Sequence, residues 1–180
     1  MNLPNKLTLT RLLMVPLLIA AMSLPGLPWR IVALLLFLTA SATDALDGHI
    51  ARDRHLVTNL GKFMDPLADK ALVNATLIMM CAQGLVSPYP VIIMVIRDLA
   101  VDGLRLMLAK DGKVLAAGIG GKLKTVAQMA AIVALFLHEV LFTAFPLDQI
   151  LLWVAVALSV YSGASYLAAN RAVFTESEGR

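Results

Sequence analysis

The chain has 180 residues, is 59% hydrophobic and has a mean hydropathy of +0.82, which excludes an ordinary soluble domain and predicts one integral membrane domain over 1–180. A single cysteine, Cys81, excludes an intrachain disulfide framework. The net charge of +3 and a pI of about 9.2 read as positive-inside bias and attraction to anionic lipid, not as a nucleic-acid surface.

A hydrocarbon core of roughly 30 Å takes about 20 helical residues. Six segments meet that length, at 8–24, 29–50, 60–86, 90–109, 122–141 and 148–169. The sequence therefore predicts an all-α integral membrane fold of six transmembrane helices, with a short amphipathic N-terminal segment ahead of the first. Breakers separate the segments: Pro25-Gly26-Leu27-Pro28, Gly84, Ser87-Pro88, the glycines between Gly118 and Gly121, and Pro146. The first apolar run is not expected to be a cleaved signal peptide, because no small-residue cleavage site follows it and Pro16 interrupts it. There is no internal repeat. Trp29 and Trp153 read as interfacial anchors.

Lysine and arginine placement sets the orientation. Lys6, Arg11, Arg52, Arg54, Lys62, Lys110, Lys113, Lys122, Lys124, Arg171 and Arg180 are eleven of the fifteen, and all fall on one side of the six-span arrangement. The opposite loops hold only Arg30, so both termini are expected in the cytoplasm. Lys70, Arg97 and Arg105 lie inside apolar segments and need a separate reason.

One window supplies the chemistry. Asp44, Asp47, Asp65 and Asp69 are a third of the twelve acidic residues, and they fall within 26 positions at the ends of two apolar segments. Ionised carboxylates at such depth are costly unless paired or bound to metal. Counting helical rise, Asp44 lies about 22 Å from the outer interface and Asp69 about 25 Å, so the two pairs reach a similar level. Asp44 and Asp47 are i,i+3 and Asp65 and Asp69 are i,i+4, so each pair projects from one helix face. Such an all-oxygen set suits two hard divalent cations, Mg²⁺ or Mn²⁺, sharing bridging carboxylates. His49 projects away from that face, and zinc is not expected without cysteine or a histidine cluster. Gly48 and Ala51 keep the helix surface low beside the carboxylates, Arg52 can grip phosphate oxygens in a bidentate way, and Gly61 leaves room for a nucleotide. The bland alternative is a solvated loop or structural ion pairs with Arg52, Arg54, Lys62 and Lys70.

The window reads Asp44-x2-Asp47-Gly48-x2-Ala51-Arg52-x8-Gly61-x3-Asp65-x3-Asp69. It resembles the CDP-alcohol phosphatidyltransferase family, whose motif it matches at all eight fixed positions. The resemblance extends over nearly the whole chain. The opening Asn2–Arg11 stretch, Ile96-Arg97-Asp98 leading to Gly103-Leu104-Arg105, and Gly121-Lys122-Leu123-Lys124-Thr125 with Gln128 are similar to the phosphatidylglycerophosphate synthase branch. Asp98 departs from that branch, which usually carries glutamate there.

The resemblance implies a homodimer with a cavity open to the cytoplasm, in the cytoplasmic (inner) membrane of the cell. It implies that Asp44, Asp47 and Asp65 hold one cation, that Asp44, Asp65 and Asp69 hold the second, and that Asp69 is the proton acceptor. Gly48, Arg52 and Thr58 would contact the CDP-lipid, with Asn5 and Thr8 at the nucleotide end. The donor would be CDP-diacylglycerol and the acceptor sn-glycerol 3-phosphate, yielding phosphatidylglycerol phosphate and CMP within membrane lipid.

An acceptor bearing phosphate needs positive charge near the metals. Arg105, about 22 Å from the outer face by helical rise, is level with the carboxylates, and Lys122 and Lys124 open the next segment at that face. Arg97 lies about 12 Å deeper. These four are the expected acceptor-phosphate contacts, against the alternative that Asp98, Asp102, Arg105 and Arg97 form an internal ion network. Inositol phosphate, serine or phosphatidylglycerol are other acceptors within the family. An intramembrane prenyltransferase and a divalent-cation transporter are the readings from other classes. The apolar outer halves near 34–38 and 76–80 argue against the transporter.

Overall fold

In a computed structural model, residues 3–53, 59–110, 119–141 and 146–171 are described. Their regular elements are all helices: α1 Leu3–Met22, α2 Leu27–Asp53, α3 Asn59–Ala82, α4 Pro88–Lys110, α5 Ile119–Phe136, the short α6 His138–Leu141, and α7 Leu147–Ala169. Each of the six expected segments is helical, and the differences lie at the ends.

α1 starts five residues before the apolar run does. Hydropathy marks where lipid-compatible side chains begin, whereas the backbone ladder needs only helix-tolerant residues, and Thr10 Oγ1 already donates to the Lys6 carbonyl at 2.9 Å. Pro16 lies inside α1, as the expected span over 8–24 requires; the helix loses one backbone donor there and continues. Past its end, Ser23 Oγ donates to the Ile19 carbonyl at 2.8 Å, and Gly26, at φ 104°, turns the chain into α2.

α3 stops at Ala82, short of the expected 86, because of Gly84. Its φ of 74° lets its N–H donate to the Cys81 carbonyl while Leu85 N–H donates to that of Met80, both at 3.0 Å. That paired reverse bonding satisfies two carbonyls that the helix end would orphan. Leu85 and Val86 are apolar, so composition alone carried the segment too far.

The segment expected as one helix over 122–141 begins at 119 and breaks at 137. Leu137 N–H is shared between the Val133 and Ala134 carbonyls at 3.2 and 3.1 Å. Beyond it, His138 Nδ1 lies 2.8 Å from Asp148 Oδ2. Gly120, read as a breaker, is inside α5; a Cβ there would meet Ser162 Cβ at 3.2 Å, so the missing side chain is what lets α5 approach α7.

The chain divides into two compact units, Met1–Leu85 and Val86–Arg180. In the first, α1 packs against both α2 and α3 around Leu18, Ala33, Phe37, Ala68, Leu72, Leu77 and Met80, all buried. Arg11 meets Asp69 and Met22 meets Gln83, so α1 and α3 run in the same direction. In the second, α4 and α5 both pack on α7 around Met94, Leu104, Ile132, Leu135 and Leu152.

Polarity in both units is arranged with polar groups inward. Arg11, Asp98, Lys124, Gln128 and Asp148 are buried, while Leu13, Leu17, Leu35, Ile96, Leu99, Leu106 and Val126 are exposed. Water-soluble cores do the reverse; ionisable groups facing inward beneath an apolar exterior are the pattern of a lipid-embedded chain. Two stretches are long and apolar enough to cross a membrane, Lys6–Ser23 and Leu147–Ala169, and Leu27–Thr43 is a shorter apolar run.

Candidate active site

The first unit carries the aspartate window. Asp44, Asp47, Gly48 and Arg52 lie on α2, and Gly61, Asp65 and Asp69 on α3. Both motif halves are thus continuous helix, and the i,i+3 and i,i+4 spacings put each aspartate pair on one face of its helix. The side chains of Asp44, Asp47, Arg52 and Asp65 lie outside the described residues, as do the surroundings of Gly48 and Gly61, the side chain of Asn5, and Thr58 altogether.

Asp69 is the motif carboxylate whose side chain is described. It is 41% exposed and accepts a 2.7 Å hydrogen bond at Oδ1 from Nη1 of Arg11, which is itself 0% exposed. Arg11 comes from α1, three residues after Thr8, which is also buried. The i,i+3 spacing places Thr8 and Arg11 on one stripe of α1, continued by Val15 and Leu18, and that stripe is the face that packs. A sequence reading counted Arg11 only as an inside-positive charge. The signal that could have found it is its phase: it shares the buried stripe, whereas a snorkelling arginine would lie off it.

Among the described residues no three His, Cys, Asp or Glu side chains gather as a metal cluster. The described donor chemistry nevertheless fits a hard cation. Asp69 offers oxygen only, is reachable from outside, and a carboxylate has about four lone-pair sites, so an arginine and an ion can share it.

The second unit holds the residues expected at the acceptor. Arg97 Nε donates to the Ser159 carbonyl at 2.9 Å, Nη2 to Ser162 Oγ at 2.7 Å and Nη1 to Asp98 Oδ1 at 2.9 Å. Lys124 Nζ, from α5, donates to both Asp98 oxygens at 2.8 Å. Asp98 and Lys124 are both buried, so this three-membered cluster ties α4, α5 and α7 together away from solvent. Gly163 makes room for it: a Cβ there would meet Arg97 Cγ at 2.8 Å. The alternative ion network expected Arg105 in this group. Instead Lys124 joins Arg97 and Asp98, and Arg105 lies over the Tyr166 ring, 5.5 Å from its centroid, in cation–π contact. Lys122 is exposed at the start of α5. The structure therefore joins Arg97 to Lys124 through Asp98 and sets Arg105 and Lys122 apart from that cluster. Small or aromatic residues on an apolar helix usually signal packing, so Ser159, Ser162 and Tyr166 do not stand out in the sequence as polar partners.

A family model described as CDP-alcohol phosphatidyltransferase matches residues 1–161. The chain belongs to this family. It is 44% identical to the CDP-diacylglycerol--glycerol-3-phosphate 3-phosphatidyltransferase of Bacillus subtilis (strain 168), covering 94% of this chain and 95% of that one. It is 37% identical to the protein of the same name from Rickettsia felis, over 96% and 97% of the two chains. It is also 37% identical to the probable phosphatidylglycerophosphate synthase of Mycobacterium tuberculosis (strain H37Rv), over 93% and 80%. The chain is accordingly a phosphatidyltransferase, and its composition and apolar helices make it a membrane protein. The prenyltransferase and transporter readings fall with this assignment.

Proposed function

We propose that the enzyme transfers the phosphatidyl group of CDP-diacylglycerol to sn-glycerol 3-phosphate, giving phosphatidylglycerol phosphate and CMP. The observation that carries this is the 44% identity, end to end, with a Bacillus subtilis protein named for that reaction. The intact eight-position motif supports it.

In this reading Asp44, Asp47, Asp65 and Asp69 hold two divalent cations. When bound, these supply charge neutralisation at the diphosphate and stabilise the departing CMP. Gly48, Arg52, Thr58 and Gly61 receive the CDP-lipid, with Asn5 and Thr8 at the nucleotide end. The primary hydroxyl of glycerol 3-phosphate attacks the lipid-side phosphorus, the phosphorus–oxygen bond to CMP breaks, and Asp69 takes the hydroxyl proton. Displacement is read as direct, since among the described residues no serine or cysteine beside a general base offers a covalent route. Arg105 and Lys122 supply positive charge to the acceptor phosphate; Arg97 and Lys124, paired with Asp98, hold the helices that carry them. In this reading the chain is a single catalytic domain with six spans, both termini and the site facing the cytoplasm, in the inner membrane and as a homodimer.

Purified protein supplied with CDP-diacylglycerol, Mg²⁺ or Mn²⁺ and single alcohols tests the assignment by CMP release. Release with glycerol 3-phosphate alone is expected. Release only with inositol phosphate, serine or phosphatidylglycerol would move the enzyme to another branch, and turnover that survives exhaustive chelation would remove the cations.

A further inference from the structure

α1 contains no acidic residue, yet it sends a fully buried guanidinium to the last aspartate of the motif. A buried arginine is expensive, and one present only to orient the chain in the bilayer would reach the headgroups instead. Its partner is the half-exposed carboxylate read above as proton acceptor and cation ligand, a group that must point one way to do either. Arg11 meets Asp69 through the bond from Nη1 to Oδ1, and a guanidinium is a planar, directional fork, so the prong that binds orients the carboxylate as well as balancing its charge.

We propose that Arg11 is a positioning residue for phosphatidyl transfer. It aims Asp69 at the attacking hydroxyl, and its fixed positive charge loosens the hold of the aspartates on divalent cations. The proposal rests on the role given to Asp69. Its two effects have opposite consequences when the charge is removed: turnover falls because the carboxylate loses its aim, while cation binding tightens because a nearby like charge has gone. An arginine that merely held α1 against α3 would weaken both.

The experiment uses the full chain in phosphatidylcholine nanodiscs, with Mn²⁺ binding followed by electron paramagnetic resonance without substrates and turnover followed by CMP release. For Arg11→Gln, kcat should drop about 100-fold with the CDP-diacylglycerol KM within about 3-fold, and the Mn²⁺ Kd should fall about 3-fold or more. Arg11→Lys keeps the charge and loses the fork, so Mn²⁺ affinity should stay at the parent value while kcat falls about 10-fold. Weaker Mn²⁺ binding in Arg11→Gln, or unchanged kcat in either variant, overturns the proposal. Should the glutamine variant fail to fold, the lysine variant decides alone. Asp69→Asn separates the two layers. If it remains active, the reading of Asp69 fails and the Arg11 role with it; if it is dead while the Arg11 variants turn over normally, only the Arg11 role fails.

Discussion

Each unit holds an arginine–aspartate pair, and the two pairs are built differently. In the first, Arg11 is enclosed but Asp69 is 41% exposed, so one member still faces the outside. In the second, Asp98 is held by Lys124 on both oxygens and by Arg97 on one, with all three side chains at most 15% exposed. A carboxylate with an open side can take an ion or a proton during a reaction cycle. One wrapped by two cations holds helices together, because moving it strands buried Lys124 and largely enclosed Arg97. The same residue types thus read as chemistry in one unit and architecture in the other.

That contrast breaks most sharply at the carboxylates. Asp69→Asn, nearly the same shape, should lower kcat by about 1,000-fold or more with CDP-lipid binding near the parent value, and it also costs some stability because buried Arg11 loses this counterion. Asp98→Asn should act mainly on stability, lowering it by about 3–5 kcal/mol because both Arg97 and Lys124 keep their charge without this counterion; thermal unfolding in nanodiscs reads this. If Asp98→Asn unfolds normally and only turnover suffers, the cluster is part of the site. Arg105→Ala leaves both pairs intact and should raise the KM for the acceptor about 10-fold with little change for the lipid donor. Equal effects on both substrates would assign Arg105 to packing against Tyr166. The smallest effect is expected for Gly163→Ala, about 1 kcal/mol of stability, since the new Cβ presses on the flexible stem of Arg97 and not on backbone.

The sequence made the helices legible because membrane thickness imposes a length on apolar runs that few other constraints imitate. It lost the ends where the deciding property was not hydropathy. Gly84 ends α3 through a positive φ, with apolar residues still following, whereas Gly120 reads as a breaker and serves as a contact. The helical placement of the motif was legible for a related reason: i,i+3 and i,i+4 spacings encode a shared face within one helix. What spacing does not encode is a partner on another helix. Arg11 meets Asp69 across 58 positions and Lys124 meets Asp98 across 26, so neither pairing is written in any local pattern. Lys124 opens its helix beside Lys122 with the same apparent chemistry, and only helix phase turns one inward and the other outward.

The bond from Gln83 Nε2 to the Met22 carbonyl, at the far end of α1, has a consequence for the near end. Met22 lies eleven residues beyond Arg11, about 16 Å along the axis, so α1 is fastened at two separated points, to α3 and to the turn just past its end. A rod pinned twice cannot roll about its own length without tearing both fastenings. Thr8, one turn before Arg11, thereby keeps a constant bearing, and a segment without a single acidic side chain becomes a rigid wall for whatever docks beside it.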